Sequence, residues 1–598
     1  MTVSADCRGI YGLSLFRYLD EAAKAQVAAR FERLEIERGR ALVEEGEPAS
    51  SIYVVLSGRF AVTRADRDYP ISEIGAGQAI GEIGFLTGSA RTATVTALRD
   101  SIVFQLNREN FEELAERDPG IWRAMSADLA TRLAATTAAP QRPAQARPRT
   151  IALIPAGASR LDVGFIESLT AAFAARAPTL VIDSSHEAFA VSNGGSHEVS
   201  EMTERLNALE ADYTFVLMIA DATLTSWTRK IIHHADLVLA AGDYGADATP
   251  NETEILADRF LAPAARRLIL VHEKRRSLSG TRRWVAQRSL AMHHHVARGE
   301  REDFARLARF VDGTARGLVL SGGGALCMIH VGIYKALIEA GYDFDIMGGT
   351  SGGSAMAAAF LLRSPLEDIE HGVHEMFVRK RAMHRYTLPR YSLLDHTHFD
   401  QELRVLYGDF DIEDLWLPFF AVSTNLSKYG PHVHRSGPLW KAVRASASIP
   451  AMLPPMYTEL GEMLVDGSLV DNVPVATMHQ LKSGPNVVVA FDVGDRDRFD
   501  VVYESLPSRT ALLRLALNPW ARHDLPQAPG PASVLMRSMM ANRHAFHDHL
   551  RTGDLLLMPP VPSGISFLDW HRHGELLDAG YRWGRSHFQD KGRPARSV

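Results

Sequence analysis

The sequence predicts a multidomain protein in which an N-terminal β jelly roll with helices precedes two α/β domains. Short apolar segments separated by regularly spaced glycines dominate the N-terminal part, as in jelly rolls and barrels. From residue 150 onward, apolar runs alternate with helix-length segments, the pattern of a doubly wound parallel sheet. Between the two, residues 134–149 are rich in proline and poor in large apolar side chains, as linkers are. We therefore predict domains at 1–133, 150–300 and 316–598.

The jelly roll is supported by SIYVVLSGRFAVTRA, which predicts two strands that meet at Ser57-Gly58. A helix over about 108–133 is predicted to follow.

The middle domain is predicted from five apolar runs: TIALIPA, TLVID, YTFVLMIAD, DLVLAAG and RRLILVHE. No G-x-x-x-x-G-K-[ST] motif follows any of them, so we do not expect nucleotide hydrolysis here. A packing or docking role is the expectation.

Composition and charge argue against several classes of protein. The 598 residues are 46% hydrophobic and 23% charged with a net charge of −6, which gives no support to bulk nucleic-acid or anionic-membrane binding. Two cysteines far apart in sequence exclude a disulfide framework and a cysteine-rich metal site. No signal peptide and no membrane-spanning apolar run is recognisable. The expected location is the cytoplasm, with peripheral contact at the inner membrane compatible with it.

Residues 80–97 (IGEIGFLTGSARTATVTA) combine the groups that a phosphate and a ribose require. An anion site uses backbone N–H donors and an arginine fork, and a ribose hydroxyl needs an acceptor. Gly81 and Glu82 precede a short predicted helix, and Arg91 and Thr92 follow it. A lone glutamate or arginine is usually a surface residue, so the prediction depends on the complete pattern G-E-I-x-x-L-x-x-x-x-R-T-A-T-V.

This pattern resembles the phosphate-binding cassette of cyclic nucleotide-binding domains, over about residues 14–133. The resemblance implies that Glu82 holds the ribose 2′-hydroxyl and that Arg91 pairs with the cyclic phosphate of cAMP or cGMP. The other residues of the implied site are Gly81, Ile83 and Thr92. The alternative is a domain kept for packing alone. A proline-rich linker follows, without a helix-turn-helix or a basic patch, so nucleic acid is not an expected partner.

The pentapeptide GTSGG (349–353) follows a predicted strand, DIMGG, and precedes a predicted helix, GGSAMAAAFLL. G-x-S-x-G alone occurs by chance, but a serine on a strand–turn–helix elbow is exposed for attack, and Gly349 and Gly353 permit the tight turn. Ser351 is therefore the candidate nucleophile, with a helix N-terminus behind it to stabilise developing negative charge.

Two questions remain open at this point: which residue is the general base for Ser351, and which group a glycine-rich loop upstream of it binds. A histidine such as His479 would complete an α/β-hydrolase triad, whereas Asp466 follows an apolar strand and would need desolvation to become an effective base. The loop SGGGALCMIH (321–330) suits either a phosphate or an oxyanion. Because the next strand leads into GTSGG, we interpret the loop as an oxyanion hole.

Four motifs, in this order, resemble the patatin-like phospholipases and in particular the bacterial relatives of neuropathy target esterase: GGG (322–324), GTSGG (349–353), AVRASASIPAMLPP (442–455) and DGS (466–468). That subgroup joins cyclic nucleotide-binding domains to a patatin domain through a Rossmann-like segment. WTRKIIHHADLVLAAG (227–242) resembles that segment, so the resemblance spans almost the whole chain.

The resemblance implies a serine lipid acyl hydrolase with a Ser351–Asp466 dyad, acting on phospholipid or lysophospholipid esters. Ser351 would attack the ester carbonyl, and Asp466 would take its proton and then activate water. The implied oxyanion donors are the backbone amides of Gly322, Gly323, Gly324 and Ala325. No metal or catalytic cofactor is implied, and the cyclic nucleotide would be an allosteric ligand.

The glycine loop departs from the family pattern G-G-G-A-R-G, because Leu326 and Cys327 replace the arginine and the last glycine. Ser468 likewise replaces a glycine or alanine of the third motif. The alternative hypothesis is therefore a cyclic-nucleotide-responsive interaction protein with a catalytically weak or inactive patatin domain. A Ser-Asp-His hydrolase is disfavoured because the glycine loop lies too close before the nucleophile.

Four further segments complete the predictions. We expect the histidines of HHH (293–295) and DHTH (395–398) at the surface or in a polar interior, not on a metal. Residues 452–457 are expected in the core or lining an acyl pocket. Residues 567–588 predict a closing amphipathic helix. No sequence feature sets the oligomeric state.

Overall fold

The computed structural model describes residues 21–65, 71–117, 148–186, 212–362, 365–388, 390–491 and 545–590, together with a few isolated positions between them. The chain forms two compact units, one of residues 1–275 with 283–312 and one of residues 276–282 with 313–598.

The N-terminal part of the first unit is a jelly roll of two four-stranded antiparallel sheets, ordered β1-β8-β3-β6 and β2-β7-β4-β5. Its strands are β1 Glu32–Ile36, β2 Ala41–Val43, β3 Ser51–Ser57, β4 Arg59–Thr63, β5 Ser72–Gly75, β6 Ala79–Ile80, β7 Thr94–Ala97 and β8 Ser101–Asn107. Its helices are α1 Glu21–Ala28, α2 Glu82–Thr87 and α3 Arg108–Arg117. Phe60, Ile80 and Val103 pack in its core.

The predicted strand pair around Ser57-Gly58 is confirmed as β3 and β4. Gly58 has a φ of +110°, and a Cβ there would lie 2.0 Å from the Ser101 Oγ, so this turn requires glycine. The predicted helix over 108–133 begins at Arg108 as expected. Its end and almost all of the linker lie outside the described residues.

The middle domain contains a six-stranded parallel sheet of order β10-β11-β9-β12-β13-β14. The strands are β9 Thr150–Pro155, β10 Thr179–Ile182, β11 Phe215–Ile219, β12 Leu237–Asp243, β13 Arg266–His272 and β14 Met292–Ala297. The helices are α4 Val163–Ala174, α5 Ser226–His234, α6 Glu252–Phe260, α7 Arg282–Val285 and α8 Arg301–Asp312. The five predicted apolar runs are β9 to β13, and HHH (293–295) lies within the sixth strand.

The turn after β9 is closed by protein groups. The Gly157 amide donates to Glu254 Oε2 (2.8 Å), and Asn251 Nδ2 donates to the Gly157 carbonyl oxygen (3.0 Å). A carboxylate therefore lies where a phosphate would approach a P-loop.

A polar interface joins the jelly roll to the middle domain within the first unit. The Arg99 guanidinium makes two hydrogen bonds to the Glu210 carboxylate (3.0 and 2.9 Å), and both residues are buried. Lys230 Nζ donates to Asp100 Oδ2 (2.7 Å). Arg38 Nη1 donates to the Ala235 carbonyl oxygen (2.8 Å) at the end of α5. Paired, hydrogen-bonded charges of this kind constrain how two domains dock.

The second unit is built on an eight-stranded mixed sheet of order β19-β20-β17-β16-β15-β21-β22, with β18 also paired to β17. The strands are β15 Gly317–Leu320, β16 Ile346–Thr350, β17 Phe419–Asn425, β18 Gly430–His434, β19 Met456–Tyr457, β20 Met463–Asp466, β21 Asn486–Val489 and β22 Leu555–Leu557. The central strands β15, β16, β17 and β21 pair in parallel. Their carboxyl ends therefore meet at one edge, where α/β sheets bind ligands.

The helices of this unit are α9 Met328–Glu339, α10 Gly352–Leu361, α11 Leu366–Val373, α12 His396–Tyr407, α13 Leu439–Ser446, α14 Val475–Leu481 and α15 His573–Asp590. The predicted closing helix is confirmed as α15, preceded by a 3₁₀ turn at Trp570–Arg572. It packs closely on α9, since a Cβ on Gly332 would lie 2.1 Å from the Leu577 carbonyl oxygen. Of the helices described, none is at once long and apolar enough to span a bilayer.

Candidate active site

Ser351 stands on a sharp elbow between β16 and α10. Its φ of 51° and ψ of −126° lie in a region that non-glycine residues rarely adopt. A Cβ on Gly349 or Gly353 would come within 2.5 or 2.4 Å of the Leu320 carbonyl oxygen, so both positions require glycine. The backbone thus has the strained geometry that exposes a nucleophilic serine.

Ser446, at the end of α13, supports this elbow from 95 residues away. The Ser351 amide donates to Ser446 Oγ (2.8 Å), and the Ser446 hydroxyl donates to the Val422 carbonyl oxygen (2.6 Å). From within α10, the Ser354 hydroxyl donates to the Ser351 carbonyl oxygen (2.7 Å). Ser446 lies inside the quoted AVRASASIPAMLPP motif, but the sequence alone assigned it no role. The repeated small polar residues of that motif were the available signal.

Asp466, the last residue of β20, faces Ser351. The Ser351 hydroxyl donates to Asp466 Oδ2 (2.7 Å), and the Ser468 amide donates to Oδ1 (2.9 Å). The Asp466 amide in turn donates to the Ser448 carbonyl oxygen (2.8 Å). The carboxylate is 1% exposed, and this burial raises its pKa above that of a free aspartate, against the opposing hydrogen bonds. Burial therefore makes Asp466 a stronger base.

His479 does not contact Ser351. Its Nε2 lies 2.8 Å from Asp554 Oδ2, so the histidine takes part in a separate buried pair. The structure therefore does not support a Ser-Asp-His triad that contains His479, because its imidazole is paired with Asp554.

The glycine loop presents two of its four predicted amides to the cavity. The Gly322 amide donates to the Asn472 carbonyl oxygen (3.1 Å), and the Ala325 amide donates to the Phe567 carbonyl oxygen (2.8 Å). Among the residues that the structure describes, the Gly323 and Gly324 amides have no acceptor. Gly324 has a φ of +55°, which glycine adopts without strain. The donors available to an oxyanion are therefore these two.

Leu326 and Cys327 anchor the loop through apolar contacts. Leu326 is buried in the main hydrophobic core of the second unit, in place of the arginine of the family pattern. Cys327 packs against the elbow, since a Cβ on Gly352 would lie 2.6 Å from Cys327 Sγ. Burial raises the pKa of this thiol, which keeps it protonated. The glycine loop is therefore packed against the core even though Leu326 and Cys327 replace the arginine and glycine of the family pattern.

Two cavities adjoin Ser351. The larger, of about 260 Å³, runs from Ser351 between apolar side chains that include Met356, Met376, Phe399 and Trp570. The smaller, of about 50 Å³, has a mainly apolar lining that includes Phe567 and Leu568, together with the polar groups of Asp466, Ser468 and Asn472. Residues 452–457 line neither cavity; Leu453 is buried in the core, the other role foreseen for the segment.

Asn472 is a site residue that sequence reasoning missed. Its buried Oδ1 has no hydrogen-bond partner among the described residues. A Cβ on Gly322 would lie 2.7 Å from this oxygen, 2.7 Å from Ser468 Oγ and 3.2 Å from Ser351 Cβ, so all three surround one point. A buried amide oxygen without a partner can accept a hydrogen bond from a hydroxyl or a water molecule.

The candidate nucleotide site lies at the start of α2. Arg91 is buried, and its guanidinium donates to the carbonyl oxygens of Gly81 (2.8 Å) and Ser51 (2.6 Å). Burial lowers the pKa of Arg91, while nearby Glu47 and Glu82 favour its charge. Ile83 and Thr92 are exposed. The guanidinium thus joins the turn at Gly81, which the predicted cyclic phosphate would approach, to the start of strand β3 at Ser51.

The remaining histidine clusters fit the expected surface or polar interior only in part, because both ring nitrogens of buried His294 lack a hydrogen-bond partner among the described residues. His294 and His295 are buried in β14, and His295 Nδ1 lies 2.9 Å from His272 Nε2. Asp395 accepts a hydrogen bond from the Thr397 amide and caps α12. Within the described part of the chain, no three His, Cys, Asp or Glu side chains are grouped as a metal would require.

Three family models match the chain. Residues 318–479 match the patatin-like phospholipase family, residues 148–309 the Neuropathy Target Esterase family P-loop like domain, and residues 33–118 the cyclic nucleotide-binding domain. The fold and site thus define a chain in which a cyclic nucleotide-binding jelly roll and a P-loop like α/β domain precede a patatin-like α/β domain. The resemblance drawn from the motifs is confirmed.

Curated relatives align with most of this chain. Lysophospholipase NTE1 of Coccidioides immitis is 29% identical over 636 residues, covering 93% of this chain and 40% of that protein. Patatin-like phospholipase domain-containing protein 7 of Mus musculus is 30% identical over 629 residues, covering 94% of this chain and 46% of that protein. The chain therefore spans less than half the length of these curated relatives. Among solved structures, the Thermus thermophilus catabolite activator protein matches at 25% identity with a TM-score of 0.20, covering 21% of this chain and 60% of that one.

Proposed function

We propose that this protein is a serine lipid acyl hydrolase, of phospholipase or lysophospholipase type, that uses a Ser351–Asp466 dyad. The observation on which the proposal rests is the 2.7 Å hydrogen bond from Ser351 Oγ to a buried carboxylate, on a strained elbow beside an apolar cavity. The patatin-like phospholipase match and the lysophospholipase names of the relatives support the substrate class. The buried Leu326 argues against an inactive domain, because the glycine loop is packed without its arginine.

The chemistry follows from these positions. Asp466 Oδ2 takes the Ser351 proton as Oγ attacks the ester carbonyl, and the Gly323 and Gly324 amides stabilise the oxyanion that forms. Collapse breaks the ester C–O bond, the alcohol leaves with the proton from Asp466, and an acyl-serine remains. Water then attacks the acyl-serine with Asp466 again as base, which releases the fatty acid. No metal or cofactor takes part in these steps.

The two cavities suit the two parts of a lipid ester. The acyl chain would occupy the larger, apolar cavity, and the glycerol part would face the polar groups of Ser468 and Asn472 in the smaller cavity. Membranes supply such a substrate, so we propose peripheral contact with the inner membrane. The proposed location of the protein is the cytoplasm.

The test is hydrolysis of a panel of lysophospholipids and diacyl phospholipids by the full chain, followed by fatty-acid release. We expect release from at least one class and stable labelling of Ser351 by a fluorophosphonate, located by peptide mass spectrometry. Absence of both hydrolysis and labelling, in a folded protein, would contradict the proposal and favour the interaction-protein alternative.

We further propose that the jelly roll binds cAMP or cGMP through Gly81, Glu82, Ile83, Arg91 and Thr92, as an allosteric ligand. The proposal is supported by the family match and by Arg91, whose buried guanidinium has no carboxylate hydrogen bond among the described residues. Regulation requires that the nucleotide bind two activity states differently, so hydrolysis is compared with and without each ligand.

Replacing Arg91 with alanine is expected to weaken nucleotide binding at least about thirtyfold, because a charge-assisted contact with the phosphate is lost. Isothermal titration calorimetry with cAMP and cGMP measures this, with Arg40→Ala as an exposed control. If the wild type gives no binding heat with either ligand, the nucleotide-binding proposal is wrong.

A further inference from the structure

A basic loop lies beside the active-site cavities. Between residues 376 and 394 the chain contains five lysine and arginine residues and no carboxylate: Arg379, Lys380, Arg381, Arg385 and Arg390. This run contrasts with the net charge of −6 of the whole chain. Such a local excess of one sign suggests a partner of the opposite sign.

The loop is tied to the wall of the active site. The Thr387 amide donates to the Leu393 carbonyl oxygen (3.0 Å), which closes the loop on itself. The Leu393 and Leu394 amides donate to the carbonyl oxygens of Ala451 (2.8 Å) and Met452 (3.0 Å), just after Ile449 of the cavity lining. At the start of the loop, buried Met383 lines both cavities. Whatever the loop contacts is therefore adjacent to the path to Ser351.

Large apolar side chains of the loop point into solvent. Tyr386 is 74% exposed, Leu388 83% and Tyr391 77%, whereas Leu394 is fully buried. The Arg390 guanidinium lies 5.4 Å from the centre of the Tyr391 ring. Exposed aromatic and aliphatic side chains interleaved with arginines are the composition of segments that lie at a membrane interface.

The carboxylates that face the loop neutralise only part of its charge. Lys380 Nζ pairs with Glu402 (2.8 Å), and Arg379 pairs with Glu375 (2.5 Å). Arg381 and Arg390 make no ion pair with any residue that the structure describes, and Arg385 has only the longer-range influence of Asp395. The exposed tip of the loop is thus cationic.

We propose that residues 381–388 and 390–393, the docking loop, attach the protein to an anionic phospholipid bilayer. The arginines pair with lipid phosphates, while Leu388, Tyr386 and Tyr391 enter the headgroup region. This inference rests on the proposed function, because the bilayer then supplies the lipid ester to the cavity beside Met383. A bilayer is favoured over a protein partner because the loop adjoins, through Met383, the apolar cavity beside Ser351.

Vesicle flotation of the full chain tests the proposal. We expect binding to vesicles of phosphatidylcholine with phosphatidylglycerol. Arg381→Glu/Arg385→Glu/Arg390→Glu should weaken vesicle binding at least about a hundredfold, since loss of each arginine costs about fivefold and the glutamates add repulsion. Leu388→Ser/Tyr391→Ser should weaken it about tenfold or more. The control Val163→Ser/Ile255→Ser removes exposed apolar side chains from the other unit and should bind as the wild type does.

The proposal is overturned if the wild type does not float with anionic vesicles, if either loop variant binds like the wild type, or if the control loses as much binding. It is also overturned if the loop variants convert a dimer to a monomer in sedimentation velocity without changing vesicle binding, because the loop would then contact a second copy.

Hydrolysis of a soluble and of a membrane-bound substrate distinguishes a role in membrane docking from a role in catalysis. With a water-soluble short-chain ester, the Leu388→Ser/Tyr391→Ser variant should keep the wild-type kcat/KM, while hydrolysis of lysophospholipid in anionic vesicles falls at least about tenfold. Equal losses on both substrates would overturn the docking role. If the wild type cleaves no ester yet floats in a loop-dependent way, docking stands and the proposed function fails.

Discussion

Replacing Ser351 with alanine is expected to lower ester hydrolysis by at least about ten-thousandfold and to abolish fluorophosphonate labelling. The Ser351 hydroxyl is the group that donates to Asp466 Oδ2 at 2.7 Å, and its elbow holds it beside the glycine loop. The loss should appear in kcat, because alanine removes the nucleophile and leaves the apolar cavity for the acyl chain intact. The measurement is fatty-acid release from the best lysophospholipid of the panel.

The matched control is Ser436→Ala, which removes an exposed serine from the same unit and should retain full activity and labelling. Hydrolysis that survives Ser351→Ala at more than a few per cent would contradict the nucleophile assignment, provided that thermal unfolding shows a folded variant.

Asp466→Asn is expected to lower kcat by at least about a thousandfold, because the amide cannot take the Ser351 proton. In the wild type, kcat/KM should rise with pH as Asp466 loses its proton. Because burial raises the Asp466 pKa, this rise should occur above the ordinary aspartate pKa of about 3.9. The matched control is Asp471→Asn, a partly buried carboxylate of the same loop whose pKa burial raises to about 6. If both variants lose equal activity, Asp466 is not distinguished as the base.

Although Asp466→Asn is expected to lower activity, it should raise the thermal stability of the protein near neutral pH. Because burial raises the Asp466 pKa, the native state binds this proton more tightly than the unfolded chain does. The stability of the wild type therefore falls as pH rises through the window between the two pKa values. Asparagine has no such proton, so the variant should unfold at a higher temperature near neutral pH, and the difference should shrink as pH falls towards about 4. A variant less stable than the wild type at neutral pH would show that the carboxylate is not destabilising.

Much of the fold was predictable because its signals are local. The strand pair at Ser57-Gly58, the five apolar runs of the middle sheet and the elbow glycines Gly349 and Gly353 each depend on a few consecutive residues. The strand β14 was not predicted, because HHH lacks the apolar pattern of a buried strand. His295 is paired with His272 of the neighbouring strand, whereas the ring of buried His294 packs against Phe310.

The site was predictable in its residue types and less so in its contacts. The glycine loop suggested four amide donors, but Gly322 and Ala325 donate to the carbonyl oxygens of Asn472 and Phe567, far along the chain. Ser446 acquires its role only because α13 brings its hydroxyl to the Ser351 amide. Short motifs indicate which groups are present, whereas long-range packing decides which of them are already paired.

The sequence by itself determined the order of the three domains, the elbow at Ser351 and the cassette at Gly81 to Thr92, because each follows from a contiguous motif. The tertiary structure decided that Asp466, 115 residues away, meets Ser351 while His479 pairs with Asp554. It also decided that Gly323 and Gly324 keep free amides among the described residues, and that Leu326 is buried. The physical reason is that hydrogen-bond pairing and burial depend on groups distant in sequence, which only the packed fold brings together.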